Sequence, residues 1–107
     1  MAHLDTVHPA GSFPDSLKPA PEGGLYGPGI VDCKGGVAVA LLAMYALKEL
    51  GFSRPLRLLL TPDEEVSNRL TGDDGIAFLQ SHVKDCAAAF VCECGKRDEA
   101  VVERKGI

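Results

Sequence analysis

The chain has 107 residues, 46% hydrophobic and 24% charged, with 12 Gly, 7 Pro, 4 Cys and no Trp. This is one domain's length at ordinary globular composition, which excludes a disordered or collagen-like polymer. A net charge of −4 with no Lys/Arg cluster argues against gripping a phosphate backbone, so no nucleic-acid partner is expected.

In chain order, residues 2–7 read as the end of a strand entering a loop. Residues 8–31 hold much of the Gly and Pro and read as a functional loop, with a short strand near 24–26. From about Lys34, Val37, Ala40, Leu41, Met44 and Leu47 recur at helical spacing until Gly51, which supplies a left-handed stop. This helix, over 37–50, is apolar on nearly every side in its first half and is expected to be buried against a sheet. Its apolar stretch, residues 37–47, is too short for a bilayer, and no secretory signal opens the chain, so no membrane partner is expected.

Residues 56–61 form an apolar run bounded by Pro55 and Pro62, a buried strand by its pattern. A second helix is expected over about 76–83, with Asp73 or Asp74 as N-cap. Strands are expected over 87–92 and 100–105. The alternation predicts an α/β fold, a three-layer α/β/α piece with a mainly parallel sheet. Four unevenly placed cysteines, Cys33, Cys86, Cys92 and Cys94, read as reduced thiols in a cytoplasmic protein.

Ligands of such sheets sit beyond the carboxyl ends of the strands. His3 and Asp5, Asp32, Glu64 and Glu65, and Glu93 all fall at strand ends or loops. Either these groups are scattered over the surface or they surround a cation, because burying so many carboxylates together without one is prohibitive. Mixed imidazole and carboxylate donors fit a dinuclear zinc hydrolase better than a magnesium or calcium site. His8, His82, Cys92 with Cys94, and Cys33 are given no ligand role. Asp63 is expected to orient a loop, and Glu99, Glu103, Arg104 and Lys105 to form a solvated strand face.

Three segments carry a family likeness in order: Ala2-His3-Leu4-Asp5-Thr6-Val7, then Gly27-Pro28-Gly29-Ile30-Val31-Asp32-Cys33-Lys34-Gly35-Gly36, then Thr61-Pro62-Asp63-Glu64-Glu65-Val66. The chain resembles the co-catalytic zinc metallopeptidases, which include glutamate carboxypeptidases, aminoacylases, acetylornithine deacetylases and succinyl-diaminopimelate desuccinylases. Its nearest likeness is to the glutamate carboxypeptidase branch.

The resemblance implies that His3 binds one zinc, while Asp5 bonds the far nitrogen of that imidazole and fixes its tautomer. It implies that Asp32 bridges two metals, zinc or cobalt in its place, ahead of a cis peptide bond to Cys33. Glu64 becomes the general base that takes a proton from the attacking water, Glu65 a ligand of the second zinc, and Glu93 a further carboxylate on the first. The small residues at Gly35 and Gly36 would permit close helix–sheet packing, and the glycines before Asp32 close backbone approach.

The implied substrate is a peptide or an N-acyl amino acid. The resemblance also makes residues 1–107 a partial catalytic domain, lacking the lid or dimerisation domain, which would follow the segment Arg104-Lys105-Gly106, and the family's C-terminal histidine ligand. The isolated chain is then expected to be nearly inactive and, with a sheet edge left open, a homo-oligomer. The alternative is a non-catalytic, self-associating α/β fragment.

Overall fold

The computed structural model describes residues 1–14, 17–96 and 98–103. Its regular elements are β1 (Ala2–His3), β2 (Lys18–Pro19), β3 (Leu25–Tyr26), α1 (Gly35–Glu49), β4 (Leu60–Thr61) and α2 (Gly72–Val83). Strands β1 and β4 pair in parallel, Ala2 opposite Leu60 and His3 opposite Thr61. Strands β2 and β3 form a small antiparallel pair within the Gly/Pro-rich loop, close to where a strand is predicted.

On the side of β1 away from β4, the Met1 ammonium donates to Phe90 O at 2.6 Å and Cys92 N–H donates to Met1 O at 2.8 Å. These two bonds have the slanted geometry of parallel pairing. Residues 90–92 thus run beside the start of β1 without continuing as a strand. Helices combined with this short parallel sheet make an α/β arrangement.

Helix α1 ends where Gly51 takes φ +74°. Phe52 N–H reaches back to Leu47 O and Gly51 N–H to Lys48 O, the paired bonds of a Schellman stop. At its start, a Cβ on Gly36 would lie 1.7 Å from Cys92 O, so only glycine lets α1 approach the 90–92 segment this closely. Small residues therefore permit the close packing expected at the head of α1.

Several expectations are corrected. The strand expected over 56–61 is paired only at Leu60–Thr61, because β1 offers just two residues to pair with. The strands expected over 87–92 and 100–105 are not formed among the described residues, and Arg104 to Gly106 lie outside them. An apolar run records a tendency to be buried, whereas a strand needs a neighbour to bond. Helix α2 begins at Gly72, which puts Asp73 and Asp74 in its first turn, near the positive end of its dipole, instead of at the cap.

Burial differs most. Among the described residues the buried apolar side chains are Ala2, Cys33 and Leu59, and His3 and Asp63 are buried as well. Helix α1 touches β1 and the preceding turn, but it buries no residue fully, and Val39, Leu41, Leu42 and Tyr45 are exposed. The accessible surface is 9005 Å², against about 5,700 Å² for a compact monomer of this mass. The length argument against a membrane span is also corrected. Within the 20 residues Ile30–Glu49 an 18-residue window has mean hydropathy 1.7, enough by length and composition alone for a bilayer span, although the backbone is non-helical at Asp32 and Cys33. The same composition suits the core helix of a soluble protein, and Asp32 and Lys34 sit in its opening turn.

Candidate metal centre

The site forms where β1, β4 and the head of α1 meet. His3 is the last residue of β1 and is 1% exposed. Its ring is gripped from both ends: Nδ1 hydrogen-bonds the Asp5 backbone carbonyl at 3.2 Å with Asp5 Oδ1 also at 3.2 Å, and Nε2 lies 2.8 Å from Asp32 Oδ1. Glu93 Oε2 at 3.6 Å and Glu64 Oε2 at 4.0 Å also face Nε2. The residues that supply these carboxylates follow separate stretches of chain, so tertiary structure alone brings them together.

Asp32 stands in the wide turn Ile30–Lys34 before α1, closed by Lys34 N–H to Gly29 O at 2.7 Å. Gly29 starts the turn at φ +68°, and a Cβ there would press on the Thr6 methyl and displace the Lys34 ammonium, so glycine is favoured at this position. The Asp32–Cys33 peptide bond is cis, as the resemblance implies.

Asp5 does more than face the imidazole. Its Oδ1 accepts from Glu64 N–H at 3.2 Å and its Oδ2 from Glu65 N–H at 2.9 Å, tying the acidic pair to β1. Its carboxyl is held below the usual range: burial works against the shift, and the Glu65, Asp5 and Glu64 amides and the His3 charge outweigh it. Burial likewise pushes the His3 imidazole down, but the Asp32 hydrogen bond and the charges of Glu93, Asp32 and Asp5 raise it overall.

Asp63, 1% exposed, accepts from Leu70 N–H, Thr71 N–H and the Thr71 hydroxyl at 2.7–3.1 Å. It orients the loop that follows the acidic pair, the role the sequence gives it.

His3, Asp32, Cys33 and Glu93 each offer a donor atom, and these atoms lie within 4.8 Å of one another. Donors bound tetrahedrally at about 2 Å stand about 3.3 Å apart, so small adjustments bring Nε2 and two carboxylate oxygens to a shared ion. Asp32 and Glu64 are half-exposed, so repulsion among the carboxylates is partly screened. The fit to a divalent metal therefore rests on the donors' convergence on one nitrogen.

The structure thus brings together His3, Asp5, Asp32, Glu64 and Glu93. The Glu65 carboxylate is not within this group; its backbone is tied to Asp5, and its residue shares with Asp32 the wall of an open groove of about 360 Å³. His8 packs edge-on against Phe13, and His82 bonds Phe78 O and Ser81. Cys33, given no role from sequence, is wholly buried inside the cluster. Burial pushes its thiol up, and only its adjacency to Asp32 signalled it in the sequence.

A family model described as Peptidase family M20/M25/M40 matches residues 1–105. The chain belongs to this family. No curated protein and no solved structure matches it. As a member of the M20 family it is a metal-dependent hydrolase of peptide or amide bonds at the level of its class, and the donor cluster on His3 is compatible with the divalent metal such enzymes use.

Proposed function

We propose that this chain carries the metal-binding and general-base face of a zinc-dependent amide or peptide hydrolase of carboxypeptidase or N-acyl-amino-acid deacylase type. The supporting observation is the convergence of Asp32, Glu93 and Glu64 on His3 Nε2, with Asp5 at the opposite nitrogen. In this reading His3, Asp32 and Glu93 hold one zinc, a donor set of the kind catalytic zinc sites use. Asp32 would also serve a second zinc together with Glu65. Cobalt suits the same donors.

Zinc supplies Lewis acidity, lowering the pKa of water to about 7 and polarising the scissile carbonyl. Glu64, half-exposed and 4.0 Å from Nε2, takes the proton of the attacking water and delivers it to the leaving amine. Asp5 occupies Nδ1 through its backbone carbonyl and its carboxylate, which would leave Nε2 available to hold the ion, and its bonds to two successive amides set Glu64 and Glu65 at fixed positions. The groove lined by Val7, Leu25, Tyr26 and Ile30 takes the substrate beside Asp32. The protein works in the cytoplasm, within a three-layer catalytic domain. Zinc content of the purified chain tests this reading: about one tightly held zinc per chain supports it, and none contradicts it.

One observation favours self-association as well. The 9005 Å² surface exceeds the compact expectation by about 3,300 Å², about four times the roughly 800 Å² that each partner buries in a standard interface. In this reading a second copy of the chain covers the exposed side of α1, whether or not the site turns over.

A further inference from the structure

We propose that Cys33 is a positioning residue for the metal site, its thiol clamping the backbone of His3 and so fixing His3 against Asp32. The inference rests on the zinc reading above. It starts from the alternation of a strand. Ala2 N–H and Leu4 N–H point toward β4, bonding Leu59 O and Thr61 O. His3 N–H and C=O therefore point to the other side of β1. There Met1, two residues earlier, bonds Phe90 and Cys92 in the manner of a parallel pair. At His3 that pairing stops, and a buried strand residue without a neighbour leaves a donor and an acceptor unmet.

The Cys33 side chain meets both. His3 N–H donates to Cys33 Sγ at 3.1 Å, and the thiol donates to His3 O at 3.4 Å. One side chain thus stands in for the missing strand at this single residue. Cys33 is 0% exposed, so water does not compete for either bond. Being covalently next to Asp32, it ties the Asp32 turn to the strand end that carries His3. It also leaves the chain after Cys92 free of the ladder, and Glu93 comes to 3.6 Å from Nε2. The clamp requires a protonated thiol, because a thiolate bound to metal has no hydrogen to give His3 O.

Wild-type chain, Cys33→Ser and Cys33→Ala are compared for zinc affinity by competition with a chromophoric chelator, and the wild type is loaded with cobalt for its absorption spectrum. Alanine removes both bonds and is expected to weaken zinc about tenfold or more, whereas serine, which can donate and accept, stays within about threefold of wild type. The cobalt spectrum is expected to lack a thiolate-to-metal charge-transfer band. Unchanged affinity in Cys33→Ala, a loss in Cys33→Ser as large as in alanine, or a charge-transfer band overturns the clamp while leaving the zinc reading in place. Failure of the wild type to bind zinc overturns both. The spectrum and the serine variant decide the matter even if Cys33→Ala does not fold.

Discussion

His3 Nε2 lies 2.8 Å from Asp32 Oδ1, although 29 residues separate them in sequence. That contact joins the end of β1 to the turn that opens α1, and Asp5 and Glu93 extend it on either side. Asp5 acts through three partners at once, so it should matter beyond its own charge. Asp5→Ala removes the carboxylate beside Nδ1 and frees the Glu64 and Glu65 amides, while the backbone carbonyl of residue 5 stays on Nδ1. Zinc affinity should fall about 10- to 100-fold, as for other partners that orient a ligating histidine. Affinity within twofold of wild type in a chelator competition would show that Asp5 does not orient the site.

Gly36→Ala should destabilise the chain by about 1–3 kcal/mol, since the added methyl falls inside van der Waals contact with Cys92 O. The helix propensity gained, about 1 kcal/mol, does not offset a clash with backbone. The shift of 90–92 should also carry Glu93 away from Nε2 and weaken metal binding. Urea unfolding and zinc titration of the variant check both outcomes.

Glu64 and Glu65 should separate by function. Glu64→Gln should keep its zinc and lose turnover about 10²–10⁴-fold, because only proton transfer is removed. Glu65→Gln should lose metal as well as rate, a neutral amide being a poorer ligand than a carboxylate. The comparison needs an enzyme in which the second zinc has its full donor set, with N-acyl amino acid hydrolysis and zinc content measured together. Wild-type turnover in Glu64→Gln would place the general base elsewhere.

Away from the site, Arg57 bonds Asp85 at 2.9 Å and also the His82 carbonyl, linking the approach to β4 with the end of α2. The Arg57 hydrogen bond holds the Asp85 carboxyl below its ordinary value of 3.8. Because the folded pKa is the lower one, the pair contributes stability above the ordinary value, and the contribution disappears as pH falls through the depressed one. Both groups are exposed, so the contribution is small. An NMR titration of Asp85 should move toward the ordinary value in Arg57→Gln.

Light scattering should give a mass above one chain, rising with concentration, as second copies cover Val39, Leu42 and Tyr45. A lysine at Leu42 should lower that mass. A monodisperse wild-type monomer at high concentration would contradict self-association.

Much of the site was legible because its signals are local. His3 and Asp5 are two residues apart at a strand end, and Glu64 and Glu65 follow a proline-terminated apolar run. Each motif sets its own geometry, and the tertiary fold has only to bring the ends together. The head of α1 was legible for the same reason, as Gly36 must be small. Residues 87–92 were misjudged because their pattern records burial, while a strand depends on a partner that β1 supplies only at Met1. Cys33 escaped because its partner is a backbone amide 30 residues away, which leaves no mark in side-chain spacing. The burial expected of α1 failed likewise: its sequence states that it must be covered, and not by what.

The central claim is that His3, Asp32 and Glu93 hold a metal. The most direct measurement is zinc stoichiometry of the purified chain and of His3→Ala after dialysis against a weak chelator. Removing the imidazole leaves only the carboxylates of Asp32 and Glu93 among the three proposed ligands, and zinc favours such a set less. The account predicts about one zinc per wild-type chain and close to none in His3→Ala, with far-UV circular dichroism unchanged. Equal zinc in the two proteins would contradict it.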